Sequence, residues 1–150
     1  PRGHSLEFRI NAEDVAEDFA PAPGTITRLQ WPTGPGVRID SGYREGDTVP
    51  ASYDSLIAKL IVTAGGREAA IRRARRAIAE TAIEGVPTTL DFHRRILEEP
   101  VFAEDDGRAV YTGWIDARYR HEGSPAPAAR PGDGALAEED SGGIPWSSLT

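Results

Sequence analysis

The sequence predicts an α+β fold in which a curved, largely antiparallel sheet or half-barrel packs against two helices. Three observations indicate it. Residues 5–11 alternate between apolar and polar side chains with the period of a half-buried strand. Several more short runs of β-forming residues, separated by turns that contain Gly and Pro, follow before residue 64. A clear helical spacing of apolar residues begins only after that point.

The opening strand divides its side chains between two faces. Because successive strand residues point to opposite sides, its apolar residues are expected to face the core. These residues are Leu6, Phe8 and Ile10. The opposite face carries the polar residues Glu7, Arg9 and Asn11. A guanidinium between two polar neighbours on a rigid strand is placed where it can clamp an oxyanion.

Four further β-rich runs are predicted, with Gly and Pro marking the turns between them. The last run, SLIAKLIVT, is nearly continuous in apolar residues and is expected to be the most buried strand. The runs are 25–31, 37–40, 48–49 and 55–63, and the turns include Phe19–Gly24 and Pro32–Gly36.

A first helix is predicted over Arg67–Glu84, because apolar residues recur there every three or four positions. The apolar stripe consists of Ile71, Ala74, Ile78 and Ala82. Gly85 is a natural C-terminal stop for a helix, and Pro87 follows it.

A second helix is predicted from a cap at Thr88 or Thr89 through about Glu98, with Pro100 ending it. Its inward-facing residues are expected to be Leu90, Ile96 and Leu97.

The end of the chain changes in composition. A last strand or extended arm is predicted over Val110–Tyr119, which completes a domain at residues 1–120. Residues 121–150 are rich in Gly, Pro and Ala and are predicted to be a flexible, disordered linker, with Ile144–Leu149 as either a docking patch or the edge of a following module. The chain begins without Met, so we expect it to be a piece of a longer protein.

Composition excludes several classes of protein. A net charge of −7 argues against a nucleic-acid binder. No apolar run approaches the ~20 residues that a membrane helix needs, so no membrane partner is expected. With no Cys, the chain has neither disulfides nor thiolate chemistry, and a cytoplasmic location fits best. Its three His, at positions 4, 93 and 121, are too scattered to predict a metal site.

Arg9 is the candidate site residue that the pattern singles out. An Arg between Glu7 and Asn11 on a strand is most often part of a solvated or ion-paired sheet face. The functional alternative is stabilisation of an anion by fixed donors, because a guanidinium never deprotonates in practice. Spacing alone leaves both interpretations open.

Three other residues also have two interpretations. Arg38, after a Gly-Pro-Gly loop, is either an exposed turn residue or part of a subunit interface. Asp54, which follows Tyr53, is either a turn residue or a carboxylate that orients an Arg or a substrate. Lys59, in the middle of an apolar strand, is either a snorkelling side chain or half of an interior ion pair.

Five motifs in order make the sequence recognisable. They are GHSLEFRINAED, FAPAPGTIT, GPGVRIDSG, GDTVPASYDSLIAKLIV and IEGVPTT. Over about residues 3–119 the chain resembles the C-terminal domain of biotin carboxylase, which serves acetyl-CoA, propionyl-CoA and related acyl-CoA carboxylases. The predicted half-barrel is then of the barrel-sandwich-hybrid kind. The linker from residue 121 resembles the stretch that leads to a biotin carrier domain in fused chains.

The resemblance implies a reaction and a set of site residues. In this family ATP and bicarbonate give carboxyphosphate, which releases CO2, and the ureido anion of biotin attacks the CO2. Arg9 stands at the Arg of the RINAED motif, which implies a catalytic role in stabilising the ureido oxyanion beside bicarbonate. Tyr53 and Asp54 stand at the Tyr-Asp pair near the biotin pocket. Pro35 and Arg38 fall on the dimer interface of bacterial members.

The resemblance also implies cofactors and partners. These are biotin on a carrier domain, a carboxyltransferase subunit, a second copy of the chain in a homodimer, and ATP with Mg. The ATP-grasp lid, the phosphate loop and the Mg-binding glutamates of the family all precede this segment. The present residues alone are therefore expected to be inactive. Three departures from the family pattern are Leu56 in place of Met, Val15 in place of Pro, and Pro35 at a loop position that is aromatic in some members.

Two alternatives remain. The chain is either a non-catalytic dimerisation and structural module of a related ATP-grasp ligase, or part of another ligase that shares this domain, such as a urea-type carboxylase. The acyl-CoA acceptor is not encoded in these residues, because the carboxyltransferase partner selects it.

Overall fold

A computed structural model describes residues 2–103 and 109–119 and confirms the α+β class. In chain order its strands are β1 His4–Asn11, β2 Glu13–Asp14, β3 Ala20–Pro21, β4 Gly24–Thr25, β5 Arg28–Gln30, β6 Val37–Ser41, β7 Thr48–Val49, β8 Leu56–Ala64 and β9 Ala82–Glu84. Its helices are α1 Arg67–Glu80, α2 Leu90–Glu98, α3 Pro100–Ala103 and α4 Trp114–Tyr119, and Val15–Glu17 forms one 3-10 turn.

The strands form antiparallel sheets, as the sequence predicts. One three-stranded sheet has the order β1-β8-β6, and the pairs β2-β3, β4-β7 and β5-β9 form two-stranded ribbons. The predicted run 25–31 is thus divided between two ribbons. Among the described residues these sheets do not close into a barrel, and the half-barrel curvature stays a prediction.

The strand β8 is central because its apolar sequence allows it to be covered on both edges and on one face. It pairs antiparallel with β1 on one side and with β6 on the other. Leu60 and Val62 have no solvent exposure, which confirms the prediction of a deeply buried strand.

Helices α1 and α2 cover one face of this sheet. The apolar positions of β1 and β8 meet the apolar stripe of α1 and two of the three predicted inward residues of α2, whereas the third, Ile96, is buried against Phe92 and Trp114. The buried residues of this cluster include Phe8, Ile10, Leu60, Val62, Ile71, Ala74, Ile78, Leu90 and Leu97. The opposite face of the sheet therefore carries the polar positions of β1.

A β-bulge interrupts the pairing of β1 with β8. Ile10 lies opposite Ala58, but Asn11 lies opposite Leu56, so Ile57 is the extra residue. Ile57 is 1% exposed and packs in a second apolar cluster with Val49 of β7 and with Ile26, which lies between β4 and β5. The bulge therefore turns the ends of both strands away from the first core and toward the second.

The first helix is shorter than predicted. α1 ends at Glu80, and Thr81 is extended and buried, with its hydroxyl donating to the Ala77 carbonyl at 2.8 Å. Ala82 belongs to β9, which pairs with β5, so it is not part of the helical stripe. Gly85 serves the turn after β9, where φ is +97° and a side chain would collide with the backbone of Thr25.

The structure also corrects the prediction for the segment before residue 120. α4 is a helix, not the predicted strand or extended arm. Trp114 is buried, and helical spacing brings the Arg118 guanidinium to 5.8 Å from its ring. Pro100 starts α3 as well as following α2, consistent with the preference of Pro for the first turn of a helix.

The remaining predictions concern the end of the chain and the membrane. The predicted linker 121–150 and the docking patch Ile144–Leu149 lie outside the described residues. Within 2–103 and 109–119, none of the helices combines the length and the apolar character needed to cross a membrane.

Candidate active-site face

The face of the three-stranded sheet opposite the helices carries a row of charges. Arg9 lies opposite Lys59 on β8, and Lys59 lies opposite Asp40 on β6. Two cations directly across a ladder repel each other. Glu7 compensates Lys59 at 3.8 Å, and Asp54 compensates Arg9 at 3.6 Å. The guanidinium of Arg9 is thus held on a sheet face whose charges are balanced.

Asp54 fulfils both of the roles that the sequence leaves open. Its Oδ1 accepts a hydrogen bond from the Leu56 amide at 2.9 Å, which fixes the turn before β8. Its Oδ2 lies 3.6 Å from Nη2 of Arg9. The two side chains are 48% and 69% exposed, so the pair adds at most about 1 kcal/mol of stability. The ion pair instead orients the Arg9 guanidinium, which remains accessible to solutes.

The alternation on β1 suggests that Glu7 and Asn11 flank Arg9, but each of them contacts a different residue. Glu7 pairs with Lys59, whose charge lies on the exposed face and not in the interior. Asn11 donates to Glu13 at 2.9 Å. The ion-pair partner of Arg9 comes instead from a turn more than forty residues away in sequence.

The backbone of Arg9 is fixed by the start of α2. The Thr89 hydroxyl donates to the Arg9 carbonyl at 3.0 Å and accepts from the Asn11 amide at 3.1 Å. The Thr89 amide donates to the Asn11 carbonyl at 3.1 Å. Nε2 of His93 lies 2.9 Å from the same Arg9 carbonyl. Thr89 and His93 are one helical turn apart, so both side chains reach the same strand.

His93 is a neutral donor in this arrangement. Burial lowers the pKa of His93, and the hydrogen bond to Arg9 and the charge of Glu13 oppose this effect without cancelling it. Because a carbonyl oxygen only accepts, Nε2 carries the proton. The ring also packs edge-on against Phe8, with centroids 5.4 Å apart.

A cleft of ≈ 360 Å³ opens where β1, α2 and α4 meet. Arg9, Asn11, Glu13, His93 and Tyr119 are among the residues that line it. Oδ1 of Asn11 is buried and has no hydrogen-bond partner among the described residues. The cleft therefore presents a mixed polar and aromatic surface directly beside the strand that carries Arg9.

The two predicted interface residues lie at the other edge of the sheet. Pro35 is exposed in the Gly-Pro-Gly loop, which is tied to β8 by a 2.8 Å hydrogen bond from the Thr63 amide to the Gly36 carbonyl. Arg38 is 70% exposed and pairs with Asp40 at 3.0 Å. Arg38 and Arg9 thus share one face of the sheet, two strands apart.

Tyr53 is the most exposed large apolar side chain of the described residues, at 82%. It directly precedes Asp54, the residue that pairs with Arg9. Residues 2–103 and 109–119 contain no group of three or more His, Asp or Glu side chains that could hold a metal ion.

Sequence reasoning missed Thr89 and His93 as parts of this site, and it considered Thr89 only as a helix cap. In the structure the Thr89 side chain makes no capping bond within α2, because β1 uses both its donor and its acceptor. The signal was present in the spacing, since a hydroxyl at the cap and a His four residues later share one face of a helix.

Comparison with known proteins assigns the chain to a family. The family model for the biotin carboxylase C-terminal domain matches residues 7–117. The chain is 41% identical over 141 residues to the biotin-dependent acyl-coenzyme A carboxylase alpha3 subunit of Mycobacterium leprae, covering 93% of this chain. It is 54% identical over 103 residues, 69% of the chain, to a biotin carboxylase of Nostoc sp.. The chain therefore belongs to the biotin carboxylase C-terminal domain family.

Solved structures of biotin carboxylases also superpose on this chain. A biotin carboxylase from Campylobacter jejuni, in a complex described as β-γ-ATP, superposes with a TM-score of 0.71 at 40% identity over 77% of this chain. The biotin carboxylase domain dimer of Hydrogenobacter thermophilus 2-oxoglutarate carboxylase, with MgADP, ADP and bicarbonate, gives a TM-score of 0.72 at 38% identity. The chain spans 23% of the length of both sequence relatives and 25% of both structures.

Proposed function

We propose that this chain forms the biotin and bicarbonate side of the active site of a biotin carboxylase, within an acyl-CoA carboxylase. The observation that carries the proposal is the placement of Arg9. Its backbone is fixed by Thr89 and its guanidinium is oriented by Asp54, yet nearly half of the side chain remains exposed. A guanidinium fixed in this way needs little reorganisation when charge develops beside it.

The arrangement suits a ureido group. Biotin supplies the ureido nitrogen that takes up CO2, and negative charge develops on the ureido oxygen as that nitrogen loses its proton. Arg9 carries five N–H donors, and Asp54 approaches only Nη2, at a distance longer than a direct hydrogen bond. Arg9 therefore retains donors for the ureido oxygen, and Asp54 keeps them from rotating away.

The other members of the site follow from this assignment. Tyr53 and Asp54 contact the substrate in the pocket. ATP and Mg bind to the part of the enzyme that precedes this domain in the family, and carrier-bound biotin arrives from a biotin carrier domain. A carboxyltransferase subunit then uses the carboxylated biotin in the next step. The chain by itself is expected to be inactive, and we place the enzyme in the cytoplasm.

Carboxylation of free biotin by the complete carboxylase that contains this chain tests the proposal. Arg9→Ala should reduce kcat by about 10²–10³-fold, the usual effect of removing one donor to an oxyanion. An unchanged rate would show that Arg9 takes no part in the chemistry.

A second candidate function is dimerisation without a catalytic role. It is favoured by the exposure of Arg38 at 70% and of Tyr53 at 82%, since two large side chains left in solvent are available for contact with a second copy. Sedimentation of the complete carboxylase distinguishes the two functions. If Arg38→Glu dissociates a dimer while Arg9→Ala keeps full activity, the dimerisation module is the better description.

A further inference from the structure

The cleft also contains a carboxylate that the proposed function does not use. We propose that Glu13 is a positioning residue, which holds Arg9 and Asp54 in register by joining the end of β1 to the start of β8. This inference rests on the proposed function of Arg9. It assigns to Glu13 no contact with biotin, bicarbonate or ATP.

One oxygen of Glu13 makes both connections. Oε1 accepts a hydrogen bond from Nδ2 of Asn11 at 2.9 Å and another from Oγ of Ser55 at 2.6 Å. Asn11 lies two residues after Arg9, and Ser55 directly follows Asp54. The carboxylate thus reaches both segments that carry the ion pair. Hydrogen bonds to an ionised acceptor are shorter and about twice as strong as neutral ones.

The bulge explains why such a link is needed at this point. Regular pairing of β1 with β8 is interrupted between Ile10 and Asn11, where Ile57 has no residue opposite it on β1. A bulge bends the strand and locally disrupts the hydrogen-bond ladder. The backbone bond from Ala12 to the Ser55 carbonyl, 2.8 Å long, resumes the contact beyond it. Glu13 adds a side-chain connection across the same gap.

Ser55 lies in a turn that is held from both sides. Asp54 Oδ1 accepts from the Leu56 amide, and the Ser55 hydroxyl donates to Glu13. If the bond to Glu13 is lost, the turn keeps its internal hydrogen bond but is free to shift relative to β1. The 3.6 Å separation of Arg9 and Asp54 would then widen, and the guanidinium would lose its orientation.

The test uses the complete carboxylase with Glu13→Ala, Glu13→Gln and Ser55→Ala, and with the exposed Glu17→Ala as the matched control. Glu13→Ala should reduce kcat for carboxylation of free biotin by at least about tenfold, since a displacement of about 1 Å can cost 10²-fold. The KM for ATP should stay unchanged. Glu13→Gln should recover most of the rate, because its amide oxygen can accept both bonds. Glu17→Ala should behave as the parent.

Bicarbonate-dependent ATP cleavage without biotin reports whether each variant is folded. If Glu13→Ala loses ATP cleavage as well, the Ser55→Ala variant tests the positioning role instead, because it removes one of the two hydrogen bonds to Glu13 and little else. Ser55→Ala should then lower kcat and spare ATP cleavage.

Parental rates in both Glu13→Ala and Ser55→Ala, together with a large loss in Arg9→Ala, would overturn the positioning role and leave the proposed function intact. A Glu13→Gln variant as slow as Glu13→Ala would also overturn it. A parental rate in Arg9→Ala would instead refute the proposed function itself.

Discussion

The Thr89 hydroxyl donates a hydrogen bond to the backbone carbonyl of Arg9 at 3.0 Å. The start of α2 and the strand that carries the guanidinium therefore form one hydrogen-bonded unit, although the two residues are 80 positions apart. Thr89 is buried, at 5% exposure, so water does not replace this bond when it is lost. Thr89 at the start of a helix thus fixes the backbone of Arg9, and Asp54 in a turn orients its side chain.

Replacement of the Thr89 hydroxyl by a methyl group should destabilise the fold. Thr89→Val leaves the Arg9 carbonyl with one partner fewer and the Asn11 amide without its acceptor, and we expect a loss of about 1–3 kcal/mol in the free energy of unfolding. Thr89→Ser retains the hydroxyl and should lose less. Urea denaturation of the three chains measures the difference. Thr48→Val, which removes an exposed hydroxyl, is the control. Equal losses in Thr89→Val and Thr48→Val would contradict the account.

Titration of His93 should make stability depend on pH. Burial lowers the pKa of His93 below its ordinary value of 6.5, so between the two values the unfolded ring binds a proton and the folded ring does not. The free energy of unfolding should therefore decrease as pH falls through about 6.5 toward the lowered folded pKa. Above that window His93 should contribute no slope.

His93→Gln isolates this contribution. Its side-chain amide can donate to the Arg9 carbonyl but does not titrate in this range. Denaturation of both chains between pH 8 and 5 should show a smaller acid loss in the variant, because the other titrating groups are common to both. Identical pH profiles would show that His93 has the same pKa in the folded and unfolded chain.

The glycine at position 36 should be sensitive because of its neighbours as well as its backbone. Gly36 has φ of +72°, and a Cβ there would collide with the Thr63 carbonyl and the Arg73 guanidinium. Gly46 has φ of +91° but nothing within 4 Å. Both Ala variants should incur the left-handed backbone strain of about 1–2 kcal/mol. Gly36→Ala should lose more, and thermal melts of the two variants measure the excess. Equal melting temperatures would mean that the Gly-Pro-Gly loop moves aside at no cost.

Much of the fold could be predicted because it depends on local patterns. Period-2 alternation in 5–11 and the apolar run in 55–63 correctly gave β1 and β8, since each buries one face against the helices. The error at Ala82 has a tertiary cause. Its spacing continues the helical stripe, but pairing of β9 with β5 stabilises an extended backbone there.

The site was predictable only as far as its residues lie in recognisable motifs. Arg9 and Asp54 stand in two separate motifs, and the sequence left open whether they meet. Pairing of β1 with β8 and the bulge at Ile57 bring them together, and neither register nor bulge can be read from one strand alone. The contribution of Thr89 arises from long-range packing, which local propensity does not encode.

The rate of biotin carboxylation in Arg9→Ala, measured against bicarbonate-dependent ATP cleavage in the same complete carboxylase, tests the central claim most directly. Arg28→Ala is the matched control, because Arg28 is a similarly exposed strand Arg that pairs with Glu84 away from this face. The account predicts that Arg9→Ala loses about 10²–10³-fold in biotin carboxylation, while Arg28→Ala stays at the parental rate. Parental carboxylation by Arg9→Ala would contradict it.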